Sequence, residues 1–174
     1  MKIEFSLKKF TIFVKKEGKD MNQRVYDFFS LYGKQDEIIE LDESSATVTL
    51  AAHALGCEEK DIAKTMAFLI PEPILIVVAG DVKIDNAKYR HTFNTKAKMI
   101  PSDILYETTG FEVGGVCPFN PKENVKVYLD ESLKKLEYCY PACGSHNNAI
   151  KVSLKELEEY SHFEKWVDVT KPMI

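Results

Sequence analysis

From Asn22 onward the apolar positions fall at helical spacing. Val25, Phe28, Phe29 and Tyr32 recur three and four residues apart, and Gly33 stands where such a helix would stop. Ile38, Ile39 and Leu41 read as a short strand. Thr47 to Gly56 reads as a second helix, closed by Gly56 and capped by Ser44 or Ser45. Glu58 to Ala63 gives a third, short helical segment, and Lys64 to Ile70 alternates around Thr65 as a strand. Pro71-Glu72-Pro73 reads as a turn, because proline fixes φ and removes an amide donor. The run Ile74 to Ala79 is apolar throughout, as expected of a central strand buried on both faces.

The second half continues the mixture. Asp85 to Phe93 is helical with Asp85 as its cap, Lys98 to Ile100 a strand candidate, and Ser102 to Thr109 a helix ending at Gly110. Strands follow at Val125 to Leu129, Glu137 to Tyr140 and Asn148 to Val152, and Ser153 with Glu156 forms a capping box that opens a last helix. Several strands succeed one another without an intervening helix. That order predicts an α/β fold with a mixed sheet wrapped by helices, not a doubly wound parallel sheet. Residues 1–21 read as an N-terminal extension. Phe5, Phe10, Ile12 and Val14 alternate like an edge strand and Glu17 to Asp20 like a turn, before a main domain over residues 22–174.

Composition narrows the class. The 174 residues are 45% hydrophobic and 29% charged, which is ordinary globular content for one domain. The net charge of −4 argues against a general, tight binder of nucleic acid, which needs a cation for each neutralised phosphate. Lys83, Lys88, Arg90, His91, Lys96 and Lys98 form the richest basic stretch, equally a solvated helix face or an RNA contact. Glu4, Lys8 and Lys9 interrupt the apolar run that a secretory signal requires, and Ile74 to Gly80 is too short to span a bilayer. The expectation is a cytoplasmic protein with Cys57, Cys117, Cys139 and Cys143 as free thiols.

The chain lacks a GxxxxGK[ST] loop, a GxGxxG turn, an HExxH helix and a GxSxG elbow. Cys139, Cys143 and His146 have metal-like spacing but no fourth ligand nearby in sequence, so no metal is expected.

Three features remain. Lys64 stands at the mouth of an apolar strand. It either snorkels its ammonium to solvent or holds a fixed cation against an anionic or carbonyl-bearing substrate. Gly114-Gly115-Val116-Cys117-Pro118-Phe119 is a loop whose glycines permit close backbone approach. Its amides suit an oxyanion hole, and its bland reading is a tight connection. Ala142-Cys143-Gly144-Ser145-His146-Asn147-Asn148 is a polar loop that lacks the neighbouring acid of a nucleophilic triad. Cys117 and Cys143 have no activating base in sequence either, which weighs against a thiol nucleophile.

Taken in order, these features resemble the YbaK/EbsC family of aminoacyl-tRNA deacylases, which includes prolyl-tRNA editing domains. The resemblance is carried by Thr49 to Gly56, Ile62-Ala63-Lys64-Thr65, Ile76 to Asp81, Thr109 to Phe119, Val127 to Leu133 and Ala142 to Ser145. It spans residues 22–170 or so. It implies a mainly antiparallel mixed sheet surrounded by helices, and hydrolysis of the ester between an amino acid and the tRNA 3′ ribose without a protein nucleophile or a cofactor.

By position, the resemblance assigns Lys64, Gly114, Gly115, Gly144 and Ser145 to catalysis. It assigns Thr65, Val116, Cys117, Pro118, Phe119, His146 and Asn147 to substrate binding. Its implied substrates are mischarged species such as Cys- or Ala-tRNA(Pro), with the aminoacyl-tRNA 3′ end and prolyl-tRNA synthetase as partners; neither DNA nor a membrane is implied. A non-catalytic module of the same fold, recognising a tRNA end, a small molecule or a protein, is the alternative. The chain departs from many relatives at His146-Asn147-Asn148, where they have Arg-Asn-His, and at Cys117, where they commonly have Ser.

Overall fold

The computed structural model describes residues 22–174. The edge strand and turn expected within residues 1–21 lie outside the described residues. Helix α1 (Gln23–Leu31) starts at Asn22, whose side chain accepts from the Arg24 amide, and buries Val25, Phe28 and Phe29 on one face. Strand β1 (Ile39–Glu40) follows. Helix α2 (Val48–Leu55) is capped by Thr47, which accepts from the Leu50 amide, and stops at left-handed Gly56.

Neither serine expected to cap α2 does so. Ser44 accepts from the Ala46 amide, and Ser45 donates to the carbonyl of His146 at 2.9 Å. The short helical segment expected at Glu58 to Ala63 is a single 3-10 turn, Glu59–Asp61, because the chain enters β2 (Ile62–Ile70) directly after it. The turn expected over Pro71-Glu72-Pro73 shrinks to Pro71 alone. Ile70 already pairs with Glu72, and β3 (Glu72–Ala79) begins there.

Strand β3 sits inside the sheet as its unbroken apolar run predicts, and Leu75 to Ala79 are fully buried. Beyond it come β4 (Val82–Ile84), α3 (Asn86–Phe93, capped by Asp85) and α4 (Ser102–Thr109). Lys98 to Ile100 form no strand of their own; the segment touches β2 through one bridge, Phe68–Met99. The remaining elements are β5 (Lys126–Asp130), β6 (Tyr138–Pro141), β7 (Asn148–Ala149), β8 (Val152–Ser153), α5 (Leu154–Ser161), β9 (Trp166–Val167) and β10 (Thr170–Pro172). The single strand expected at Asn148 to Val152 is thus two, since β7 pairs with β1 while β8 pairs with β6.

The main sheet has the order β8-β6-β2-β3-β5-β9, with β1–β7 and β4–β10 as two small ribbons. Pairings β1–β7, β4–β10, β2–β3 and β6–β8 are antiparallel, against the parallel β2–β6, β3–β5 and β5–β9. The fold is therefore mixed α/β and mainly antiparallel, as expected. Asp130, fully buried at the end of β5, holds the C-terminal segment in place. Its carboxylate accepts from Ser132 N at 2.9 Å, Val169 N at 2.9 Å and Thr170 Oγ1 at 2.7 Å.

Candidate active site

The start of β2 forms the floor of a cavity of about 400 Å³ through Ile62 to Thr65. Its apolar wall is one face of α2, where Val48, Ala51 and Leu55 recur at helical spacing. Gly114 and Val116 close a second side, and Ala142, Asn148 and Ala149 a third. A volume of this order suits a small-molecule group, not a whole macromolecule.

Lys64 supplies the charge. Its half-buried ammonium donates to the carbonyl oxygen of Val82 at 3.3 Å, and burial lowers its pKa from the ordinary lysine value. Among the described residues no carboxylate lines the cavity and none pairs with Lys64. A cation without a counter-charge is costly to hold away from water, so its field is available to a ligand.

The glycine loop supplies donors. Gly114 takes a φ of 85°, and a β-carbon there would lie 2.9 Å from that of Ala46. Among the described residues the amides of Gly114 and Val116 have no hydrogen-bond partner, whereas the Gly115 amide is engaged with the Glu112 carbonyl at 3.0 Å. Gly115 contributes closeness instead: a β-carbon on it would stand 2.5 Å from the Gly144 carbonyl oxygen.

Several expected site residues lie behind the cavity instead of on its wall. Cys117 and Phe119 are fully buried, with the Phe119 ring against Phe28 and Phe29, and Pro118 is buried between them. They are core residues because the loop turns inward after Val116. Burial pushes the Cys117 thiol up to about 12 and the Cys143 thiol well above its usual range, which removes the thiolate a nucleophile needs. Gly144 and Ser145 are also buried. Ser145 Oγ accepts from the Asn22 amide at 3.1 Å, and the Asn22 side chain donates to the Gly110 and Gly144 carbonyls. His146 and Asn147 are partly exposed, and their carbonyls accept from Ser45 and Leu41.

Sequence reasoning gave no role to Asn148 or Asn22. Asn148 lines the cavity and clasps its loop: Oδ1 accepts from the amides of Cys143 (3.0 Å) and Ser145 (3.2 Å), and Nδ2 donates to the Cys143 carbonyl. The Asx-rich composition of Ser145 to Asn148 was the available signal.

Comparison with known proteins agrees with this architecture. Residues 42–160 match the family model of the aminoacyl-tRNA editing domain. The chain is 46% identical over 145 residues to the uncharacterized protein YwhH of Bacillus subtilis (strain 168), covering 82% of this chain and 92% of YwhH. It is 25% identical over 114 residues to EbsC of Enterococcus faecalis (strain ATCC 700802 / V583), a candidate Cys-tRNA(Pro)/Cys-tRNA(Cys) deacylase, covering 64% of this chain and 70% of EbsC. A crystal structure of a candidate trans-editing enzyme for prolyl tRNA synthetase superposes with a TM-score of 0.78 at 25% identity, over 89% of this chain and 99% of that one. With its cavity at the junction of β2, α2 and two backbone-packed loops, the chain belongs to the aminoacyl-tRNA editing domain family.

Proposed function

We propose that the chain is a trans-acting deacylase that hydrolyses the ester between a wrongly attached amino acid and the 3′ ribose of tRNA. This reading rests on one cavity lined by Lys64, whose ammonium has no carboxylate partner among the described residues, and by Gly114 and Val116, whose amides are unengaged among those residues. Water adds to the aminoacyl carbonyl carbon, negative charge develops on its oxygen, and the C–O bond to the ribose breaks to release amino acid and tRNA. The Gly114 and Val116 amides stabilise that oxygen, a contribution of ~3 kcal/mol for a well-aimed donor. Lys64 holds the substrate through its carbonyl or the neighbouring phosphate. The buried thiols and the engaged Ser145 hydroxyl offer no better nucleophile than water.

In this reading Gly115, Gly144, Ser145 and Asn148 fix the separation of the two loops, and Cys117, Pro118 and Phe119 anchor the first loop to the core. The apolar α2 wall admits a small side chain. Cys- and Ala-tRNA(Pro) are the proposed substrates, the first supported by the substrate named for EbsC, with the chain acting beside prolyl-tRNA synthetase in the cytoplasm. Deacylation of a panel of Ala-, Cys- and Pro-tRNA(Pro) tests this. Hydrolysis of a mischarged member with Pro-tRNA(Pro) spared supports the reading. No hydrolysis of any member would leave a binding module of the same fold.

A further inference from the structure

Strand β2 is paired unevenly. On one side β3 accompanies it without interruption, from Ala63–Ala79 to Ile70–Glu72. On the other, β6 pairs only with Ile62 and Ala63. Pairing on that side resumes at Ala67, whose carbonyl accepts from Ile100 N at 3.0 Å, and at Leu69, whose amide donates to Lys98 O at 2.9 Å. Alternate residues of a strand direct their N–H and C=O to opposite sides. Ala67 and Leu69 use theirs on the outer side, and the register with β3 has no bulge. The amide and carbonyl of Thr65 therefore face the same outer side, inside the gap.

The side chain adds a second observation. Thr65 Oγ1 is buried and has no hydrogen-bond partner among the described residues, on a residue that lines the cavity. An orphan buried hydroxyl is unfavourable for folding, and valine has the same shape without the cost. Among the described residues neither the carbonyl facing the gap nor this hydroxyl has a partner, and together they make a pair of neutral acceptors. The substrate of the proposed reaction brings an α-amino group that needs acceptors, and among the described residues no carboxylate lines the cavity to supply them.

We propose that Thr65 recognises the α-amino group of the aminoacyl moiety, its carbonyl and Oγ1 accepting the substrate's N–H groups at the open edge of β2. This inference rests on the deacylase reading and names the group that the site selects: a free amine. N-blocked aminoacyl esters are rejected because they lose these bonds and bring an acyl group to the strand edge.

The test measures binding of 3′-alanylamino-3′-deoxyadenosine, a non-hydrolysable amide analogue, and of its N-acetyl derivative. Wild type, Thr65→Val and Thr65→Ser are compared by calorimetry, with thermal melts alongside. Wild type is expected to prefer the free amine by about tenfold, the worth of one good hydrogen bond. Thr65→Val loses most of that preference through weaker binding of the free amine alone, at an unchanged or higher Tm, and Thr65→Ser retains it. Equal binding of the two compounds by wild type, an unchanged preference in Thr65→Val, or no binding by folded wild type overturns the proposal. Hydrolysis of the charged-tRNA panel is scored separately. Turnover with indifference to Thr65 removes this inference alone, and a Thr65-dependent amine preference without turnover removes the deacylase reading alone.

Discussion

Gly115 and Gly144 meet backbone against backbone: a β-carbon on Gly115 would lie 2.5 Å from the Gly144 carbonyl oxygen and 2.7 Å from the Ser145 amide nitrogen. Both neighbours are main chain, so neither can rotate aside. Gly115→Ala must push the two loops apart and move the Gly114 and Val116 amides with them. A displacement on the order of 1 Å at a reacting centre costs about 100-fold in rate. Single-turnover deacylation should show that loss, with overpacking lowering stability by about 1–3 kcal/mol. Wild-type kinetics in a folded Gly115→Ala protein would contradict the role given to this contact.

Lys64 sets a pH dependence with a definite sign. Burial lowers its folded pKa below the unfolded value, so the unfolded chain holds the proton more tightly. Its contribution to stability is unfavourable below the folded pKa and is relieved as pH rises toward the unfolded value. Lys64→Met should therefore melt at or above the wild-type temperature at pH 7, and the difference should shrink as the pH approaches 10. Corrected for background ester hydrolysis, the wild-type rate should fall on the alkaline side at a lower pH than an ordinary lysine would give.

The thiols should react in order of burial. Cys57 is partly exposed, whereas Cys117, Cys139 and Cys143 are buried with their pKa values pushed up. Iodoacetamide on the native protein, read by mass spectrometry, should label Cys57 first and leave deacylation intact. Native labelling of Cys117 with loss of activity would restore the thiol reading.

Asp130 acts on stability alone. Its buried carboxylate serves three donors from Ser132, Val169 and Thr170. Asp130→Ala leaves those donors unpaired and should destabilise by about 3 kcal/mol, with Asp130→Asn losing less. Denaturant melts measure it, and the rate per folded molecule should hold.

The fold was legible wherever a local rule has few solutions. The apolar run Ile74 to Ala79 could only be an interior strand, and Ser153 with Glu156 could only open a helix. Ser44, Ser45 and Thr47 share the same capping chemistry, and the sequence reading gave the cap to one of the serines; Thr47 takes it, while Ser45 is drawn to His146, 101 residues away. Strands β4, β9 and β10 have two or three residues each, too few for a period to register.

At the site, Lys64 and Gly114 emerged from the motif pattern, but the motif did not say where its loop turns. Gly114 and Val116 face the cavity while Cys117 and Phe119 join the core, a division fixed by the packing of Phe28 and Phe29. The gap beside Thr65 depends on where β6 stops pairing with β2, a relationship between distant segments that no local pattern carries.

If the cavity floored by Lys64 hydrolyses mischarged tRNA, removing that ammonium removes the activity. The most direct measurement is single-turnover deacylation of Cys-tRNA(Pro) and Ala-tRNA(Pro) by wild type and Lys64→Met, each shown to be folded by its melt. Wild type should hydrolyse at least one of them, and the variant should lose about 100-fold or more in rate. Equal rates for the two proteins, or no hydrolysis by wild type above the uncatalysed background, would contradict it.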